Sequence, residues 1–141
     1  MLLECSIPSS IGNLRELFLL RLDSNNLTGT VPTSIGKNTL LKYLIVGDNS
    51  LSGTLPETLE NLSQLELVDV SRNSLIGSID FLCNKGISYI SADCGGSGAE
   101  VACSCCSSCC DDIQEYAICK LDFSEVATCR GSYMGTVLCG G

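Results

Sequence analysis

A ten-residue phrase recurs three times in the chain with no insertion or deletion between its copies. The copies read DSNNLTGTVP, GDNSLSGTLP and SRNSLIGSID, and they begin at Asp23, Gly47 and Ser71, which are 24 residues apart each time. A fixed period of this length is typical of stacked repeats, in which each coil buries its apolar side chains only against the next. An insertion inside the phrase would put the next coil out of register. The repeat therefore predicts a solenoid.

Each position of the repeat has its own physical role. Leu20 and Leu22 are separated by one residue, a spacing that predicts a short strand with both side chains on one buried face. Asn has both an acceptor and two donors, so the repeated Asn can bind backbone groups of neighbouring coils; it stands at Asn25, Asn49 and Asn73. An amphipathic helical array is the alternative, and it is disfavoured because Gly and Pro recur within the repeat.

The repeat resembles the leucine-rich repeat, in its plant-type extracellular subclass. The pattern L-x-x-L-x-x-L-x-L-x-x-N-x-L-x-G-x-[IVL]-P is filled at nearly every position up to Asp80, which itself departs from it, as does Asn38. The resemblance implies a right-handed solenoid with a short parallel β-sheet on the concave side and an irregular or 3-10 convex side. It also implies a short second strand near LTGTVP. The C-terminal part, from FLCNKGISYISADC to CSCCSSCC, is similar to the ends of diatom and other algal leucine-rich-repeat proteins.

The cysteines divide the chain into parts. Cys5 stands alone, and the other ten of the 11 cysteines lie from Cys83 onward. We predict a solenoid at 1–82 (a partial repeat and three full repeats), a degraded last repeat with a Cys-rich cap at 83–110, and a tail at 111–141. The tail is part of the cap, a dimerising segment or a poorly ordered one. In the 24-residue register, Cys83 takes the inward place of Leu59, and Cys94 takes that of Val70.

The last coil of a solenoid needs a cap because no neighbour covers it. Small Cys-rich segments are usually held by disulfides, so we expect bonds, of undetermined connectivity, among Cys83, Cys94, Cys103, Cys105, Cys106, Cys109 and Cys110. Thiolate binding of Zn²⁺ or Cu⁺ by CSCCSSCC is the alternative. We favour disulfides, with no metal and no cofactor, because His and paired zinc knuckles are absent. The odd number of cysteines leaves one thiol free or intermolecular, which permits a disulfide-linked oligomer.

Residues between the inward leucines face the concave side and form columns. Leu19, Tyr43 and Leu67 make one column, which continues to Ser91 in the 24-residue register, and strands ~4.8 Å apart would join it into an apolar stripe. Such patches often mark partner sites, with an aromatic residue as anchor. Tolerated exposure and coverage of the column by the chain's own tail are the alternatives. The candidate ligand-binding residues of this and the next column are Leu19, Arg21, Tyr43, Ile45, Leu67, Asp69 and Asp93.

Composition argues against several classes of function. The formal net charge is -8, with 8 Lys and Arg against 16 Asp and Glu, which does not suit binding to nucleic acid. The chain has no His, the commonest general base, no phosphate-binding Gly loop and no nucleophile elbow, so we predict that it is not an enzyme. No apolar run approaches the ~20 residues that span a bilayer, and MLLECSIPSS lacks the regions of a signal peptide.

We therefore predict a non-enzymatic recognition module, extracellular or at the cell surface, that binds a protein, peptide or glycan on its concave face. The resemblance implies a role as receptor ectodomain, adhesion protein or inhibitor. A wall-associated protein assembled through disulfides and a thiolate metal-binding tail are the alternatives. Asn26 and Asn61 begin sequons and are candidate glycosylation sites. Met1 falls where a repeat would have Asn, so we expect this sequence to be a piece of a longer, membrane-anchored chain.

Overall fold

The computed structural model describes residues 5–94 and 100–110 of the 141-residue chain. One strand and one 3-10 helix recur in each period, as a solenoid requires. The elements in chain order are η1 (Ser9–Asn13), β1 (Leu19–Arg21), η2 (Thr33–Lys37), β2 (Tyr43–Ile45), β3 (Ser52–Gly53), η3 (Glu57–Asn61), β4 (Leu67–Asp69), β5 (Ser74–Leu75), β6 (Gly77–Ser78), η4 (Asp80–Lys85), β7 (Tyr89–Ala92), β8 (Val101–Ala102) and β9 (Ser108–Cys109).

Two parallel ladders run along the solenoid. The concave ladder is a five-stranded sheet in the order β1-β2-β4-β7-β9. The second ladder lies on the flank of the coils, where β3 pairs with β5 and β6 pairs with β8, and where Ser6 forms an isolated bridge with Thr28. The prediction of a concave parallel sheet, a 3-10 convex side and a second short strand is confirmed.

The leucines of the repeat point inward and form one continuous core. Leu44, Leu51 and Leu59 are fully buried, and the core runs from Ile7 near one end to Val101 in the last coil. Burial of each such side chain contributes about 1.5–3 kcal/mol. Because these leucines occupy the same place in successive coils, each coil covers the apolar side chains of the one before it.

Two of the repeated asparagines, Asn49 and Asn73, each tie a coil to the preceding one. Asn49 Nδ2 donates to the carbonyl oxygens of Leu22, at 2.9 Å, and of Val46, at 3.0 Å, while its Oδ1 accepts the N–H of Leu27 at 3.0 Å. Asn73 makes the equivalent bonds one coil later. The side chain thus satisfies backbone groups that the strand-to-turn transition leaves unpaired, which is the role that its donors and acceptor predict.

Glycine permits the close stacking of the 3-10 helices. A Cβ on Gly12 would lie 2.5 Å from the carbonyl oxygen of Ser34, and a Cβ on Gly36 would lie 2.5 Å from that of Thr58. Both separations are too short for a side chain. These two glycines, which the repeat pattern does not single out, set the distance between successive coils on the convex side.

The coil that follows Asp69 is two residues shorter than the 24-residue coils before it. Leu67 pairs with Tyr89 and Asp69 pairs with Ser91, an offset of 22 residues. Two register predictions are therefore wrong. Tyr89, not Ser91, continues the column of Leu67, and Ser91, not Asp93, continues that of Asp69.

The same shortening changes which residues point inward. Leu82 is fully buried, whereas Cys83 is only half-buried, so Leu82 takes the inward place predicted for Cys83. Ala92 pairs with the sheet and is fully buried, so it takes the place predicted for Cys94. Relative to the 24-residue repeat, one residue is missing before Leu82 and a second is missing between Leu82 and Tyr89.

The Cys-rich segment forms a short final coil. Strand β8 pairs with β6 on the flank and β9 pairs with β7 on the concave side, so the residues between them cross the end of the solenoid. The predicted disulfide-stapled Cys-rich end is confirmed by three bonds, Cys83–Cys105, Cys94–Cys109 and Cys103–Cys106. Cys5 and Cys110 are disulfide-bonded as well.

A carboxylate also holds this final coil. Asp80 Oδ1 accepts the backbone N–H of Ser104 at 2.7 Å, and this bond, with a further contribution from the Ser104 side chain, lowers the pKa of Asp80. Hydrogen bonds to the charged form of an acid have this effect. The predictions for the tail at 111–141 lie outside the described residues, and within the described ranges no helix is long and apolar enough to cross a membrane.

Candidate recognition surface

Four side chains line up across the strands of the concave sheet. Leu19, Tyr43, Leu67 and Tyr89 are paired in register on β1, β2, β4 and β7, and all four are half-buried. We call these four residues the tyrosine stripe. The predicted stripe is thus brought together, and Tyr89 adds a second aromatic ring that the 24-residue register missed. Tyr43 OH donates to Glu66 Oε2 at 3.2 Å, and Lys42 Nζ lies 3.3 Å from Glu66 Oε1.

The neighbouring column changes character along the sheet. It runs from Arg21, which is exposed, through Ile45 at 0% exposure and Asp69 at 6%, to Ser91 at 1%. The core contains the two strand neighbours of Ile45, which are Leu44 and Val46. Ile45 itself lies in a concave column and is nevertheless buried. A basic, an apolar and an acidic group therefore stand side by side on one face.

The Asp69 carboxylate is held in place by its own turn. Its Oδ1 accepts the Ser71 hydroxyl at 2.6 Å and the Ser71 N–H at 3.1 Å. Burial raises the pKa of Asp69, and the two bonds from Ser71 oppose that rise. A Cβ on Gly47 would lie 2.9 Å from Asp69 Oδ2, so the glycine of the adjacent coil leaves room for the carboxylate. The sequence pattern identified Asp69 but gave no signal for Gly47.

Asp93 has a structural role that the predicted column did not foresee. Its two carboxylate oxygens accept the backbone N–H groups of Arg72, at 2.7 Å, and Asn73, at 2.9 Å. Asp93 thus binds the turn of the preceding coil, in which Arg72 adopts a left-handed conformation with φ 56°. Its side chain stabilises that turn and is displaced from the column of Asp69.

Ion pairs surround the turns at the edge of the sheet. Arg21 Nε lies 2.9 Å from Asp23 Oδ1, and Arg72 Nε lies 3.5 Å from Asp48 Oδ1. Exposed pairs of this kind contribute little to stability, about 0–1 kcal/mol each. They place charged groups in and around the turns that follow the concave strands.

The two sequon asparagines lie away from the concave strands. Asn26 is exposed in the turn after β1, and Asn61 is exposed at the end of η3. Glycans at these positions would leave the tyrosine stripe uncovered. Glycosylation at both sites stays a prediction.

The flank ladder presents a second regular surface, which sequence reasoning missed. Thr30 Cγ2 lies 3.0 Å from the position of a Cβ on Gly53, and Thr54 Cγ2 lies 3.1 Å from that of a Cβ on Gly77, so each threonine packs over the glycine of the next coil. Thr30, Thr54 and Ser78 are exposed, and the segments NNLTGTVPTS, NSLSGTLP and NSLIGSI carry no charge. We call these three hydroxyl residues the flank hydroxyls. The repeat itself was the available signal, since they recur every 24 residues.

The comparisons with known proteins decide the family. The sequence family described as Leucine Rich Repeat matches residues 13–38 and 40–62. The solenoid is a leucine-rich repeat of the plant type. No curated protein sequence matches the chain.

Solved leucine-rich-repeat structures show the same fold. The ectodomain of the receptor kinase SOBIR1 from Arabidopsis thaliana is 36% identical with a TM-score of 0.58, covering 61% of this chain and 47% of its own. The Arabidopsis receptor kinase HAESA, in complex with the peptide hormone IDA and the co-receptor SERK1, is 38% identical with a TM-score of 0.51, covering 52% and 12%. A plant ice-binding protein is 34% identical with a TM-score of 0.55, covering 62% and 28%. The chain thus spans less than half the length of each.

Proposed function

We propose that this leucine-rich-repeat solenoid recognises a peptide or protein through its concave sheet, outside the cell or at its surface. The tyrosine stripe carries the proposal, because it sets two aromatic and two aliphatic side chains in register across four strands. Tyrosine is enriched among the residues that dominate binding energy at interfaces. The similarity to receptor ectodomains, HAESA with its peptide hormone among them, supports recognition as the general role.

The two columns indicate the chemistry of the ligand. Apolar side chains of a ligand would pack along the tyrosine stripe, while the exposed guanidinium of Arg21 lies in the neighbouring column and can meet an acidic group of the ligand. Charged groups at the edge of an interface set orientation and association rate more than affinity. A peptide with apolar residues and at least one charged group matches this arrangement. The ligand is bound without chemical change, since the chain has no His and its repeat disperses the other candidate catalytic groups.

Selection from a displayed random-peptide library tests this proposal. The wild-type chain should enrich peptides that Tyr43→Asp fails to capture, because the substitution places a charge in the middle of the stripe. Thr39→Asp, an equal change at an exposed residue outside the concave sheet, is the matched control and should retain capture. Equal enrichment by the two variants would exclude the concave face as the binding site. Denaturant unfolding of both variants separates lost binding from lost folding.

Ice binding is a second candidate, and the flank hydroxyls favour it. Ice has a fixed lattice, so a protein that binds it needs groups at regular spacing on a flat surface with few charges. Successive coils lie about 4.8 Å apart, and the uncharged segments of the flank place Thr30, Thr54 and Ser78 on successive coils. The similarity to a plant ice-binding protein supports this candidate too.

Thermal hysteresis measurements test the second candidate. Wild-type protein should depress the freezing point below the melting point, Thr54→Lys should abolish the effect, and Thr39→Lys should leave it unchanged. Absence of hysteresis in the wild type would exclude ice binding and leave the concave-face proposal untouched, because the two surfaces share no residue.

A further inference from the structure

Cys103 lies at the centre of a sulfur cluster at the end of the solenoid. Its Sγ atom and those of Cys83 and Cys105 all lie within 4.8 Å of one another. The Sγ atoms of Cys94, Cys103 and Cys106 form a second group, and these three atoms also lie within 4.8 Å of one another. The five sulfur atoms come from η4, from the end of β7 and from the final coil, so the fold gathers them from distant parts of the sequence.

We propose that this cluster, once opened by a thiol or phosphine reductant, binds one soft closed-shell metal ion such as Zn²⁺, Cd²⁺ or Cu⁺. The reductant supplies two electrons, and two protons are taken up, for each of the bonds Cys83–Cys105, Cys94–Cys109 and Cys103–Cys106, giving six thiols. The metal ion then displaces protons from the thiols as thiolate–metal bonds form. Thiolates are the ligands that such ions prefer.

The donor set fits this class of ion in number and kind. Both groups of three sulfurs include Cys103, so either one supplies a trigonal set of thiolates. Each sulfur of the other group lies within 4.8 Å of Cys103 Sγ, which makes it a candidate fourth ligand of a tetrahedral set. Close to the cluster, Asp80 Oδ1 lies 3.8 Å from Cys83 Sγ, and Ser104 Oγ lies 3.5 Å from it. These two polar groups would hydrogen-bond or orient the Cys83 sulfur rather than ligate a soft ion.

The final coil is held to the solenoid by hydrogen bonds that do not depend on the disulfides. The N–H of Ile79 donates to the carbonyl of Ala102 at 2.9 Å, and that of Ser107 donates to the carbonyl of Ile90 at 2.8 Å. Asp80 accepts the N–H of Ser104 on the segment between them. These bonds flank the cysteines on both sides, so reduction leaves the sulfur atoms next to one another.

This site is separate from the concave face, and its chemistry depends on the redox state of the surroundings. In an oxidising compartment the cluster is a set of structural disulfides. In a reducing one the same sulfur atoms become metal ligands, and bound metal then replaces the disulfides as the cross-link of the final coil. The proposed recognition of a peptide is independent of either state.

Titration of the full chain with Cd²⁺ tests the proposal. The chain is reduced with a phosphine under anaerobic conditions, and thiolate-to-cadmium absorption in the ultraviolet is followed. The wild type should bind a single equivalent. Cys103→Ser should lose the absorption, and Cys5→Ser, a matched change at the other end of the chain, should keep it. Equal binding by the two variants, or no absorption in the wild type, would overturn the proposal.

Mapping of alkylation by mass spectrometry keeps the test decisive if Cys103→Ser fails to fold. In the reduced wild type, Cd²⁺ should protect Cys83, Cys103 and Cys105 from alkylation and leave Cys5 reactive. Uniform protection of all four cysteines would show that scattered thiols bind the metal. Protection of none of them would show that these thiols do not bind it, and either result would refute the site. The oxidised chain should bind no Cd²⁺ through sulfur, and equal binding before and after reduction counts against the proposal as well.

Discussion

The side chain of Asn73 links the backbones of two successive coils. Its Nδ2 donates to the carbonyl of Val46 at 3.1 Å, and its Oδ1 accepts the N–H of Leu51 at 2.9 Å, both in the preceding coil. Asn25, at the same place two coils earlier, is exposed and donates to the carbonyls of Leu22 and Asp23 in its own coil. Asn73 is buried whereas Asn25 is exposed, so identical residues of the repeat contribute differently to stability.

Replacement of Asn73 by Ala should destabilise the solenoid by about 2–4 kcal/mol. The change removes the acceptor of the buried N–H of Leu51 and the side-chain donor to the carbonyl of Val70, and each unsatisfied buried group costs about 1–3 kcal/mol. Asn25→Ala should cost under about 1 kcal/mol, because water can reach that turn. Urea unfolding of the two variants measures the difference, and equal losses would refute the role in linking coils.

Replacement of Gly36 by Ala should destabilise the chain by about 1–3 kcal/mol. The new methyl group would lie 2.5 Å from the backbone oxygen of Thr58, and backbone cannot move aside as a flexible side chain can. Thr39→Ala, at an exposed position between η2 and β2, is the control and should change stability by less than about 0.5 kcal/mol. A Gly36→Ala variant as stable as the control would mean that the convex stacking tolerates a side chain.

Most of the architecture follows from the repeat because one residue pattern sets one coil. Leu44 and Leu51 are buried, and Asn49 bonds across coils, at the positions that the pattern predicts. Each of these roles depends only on neighbours that the period itself supplies. A single sequence with three copies of the repeat is therefore enough to place the core and the concave columns.

The shortened coil that contains Tyr89 and the Cys-rich final coil could not be predicted, because neither is a regular copy of the repeat. Loss of two residues moves Tyr89 into the stripe and Asp93 out of the adjacent column, and nothing in the local sequence marks where those residues are lost. The disulfide pairing depends in the same way on how Cys103 and Cys105 cross the end of the solenoid. The flank hydroxyls were predictable in position, but their packing over glycine required the structure.

Replacement of Asp69 by Asn should make the chain more stable at neutral pH. Burial raises the pKa of Asp69 above its ordinary value of 3.8, so the protonated acid is favoured in the folded state. That contribution to stability is fully present below the unfolded pKa and is lost as the pH rises through the folded pKa. Asn cannot ionise, and its Oδ1 can still accept the bonds from Ser71.

The stability gain of Asp69→Asn should therefore shrink as the pH falls from neutral towards about 4, the ordinary pKa of an Asp, and should not change further below it. Denaturant unfolding of wild type and variant across the range from acid to neutral pH measures the gain. Parallel curves at all pH values would show that Asp69 does not experience the desolvation that its burial indicates.

Expression through a secretory pathway should attach glycans at Asn26 and at Asn61. Both residues are exposed and begin sequons, and neither lies in a concave strand. Asn26→Gln and Asn61→Gln should each remove one glycan from the intact mass, while peptide capture stays at the wild-type level. Loss of capture in either variant would place the binding surface on the flank or convex side instead.

Replacement of Tyr89 by Ala should weaken peptide binding by about tenfold or more, the effect expected for an aromatic residue at the centre of an interface. Tyr89 is paired in register with Leu67, whereas Ser91 lies one column away beside Asp69. Ser91→Ala is the matched control, because the 24-residue register would have put that residue in the stripe. Affinities of both variants for a peptide selected on the wild-type chain decide between the two registers. A larger loss for Ser91→Ala than for Tyr89→Ala would contradict the tyrosine stripe as the binding surface, since only the 22-residue offset makes Tyr89 part of it.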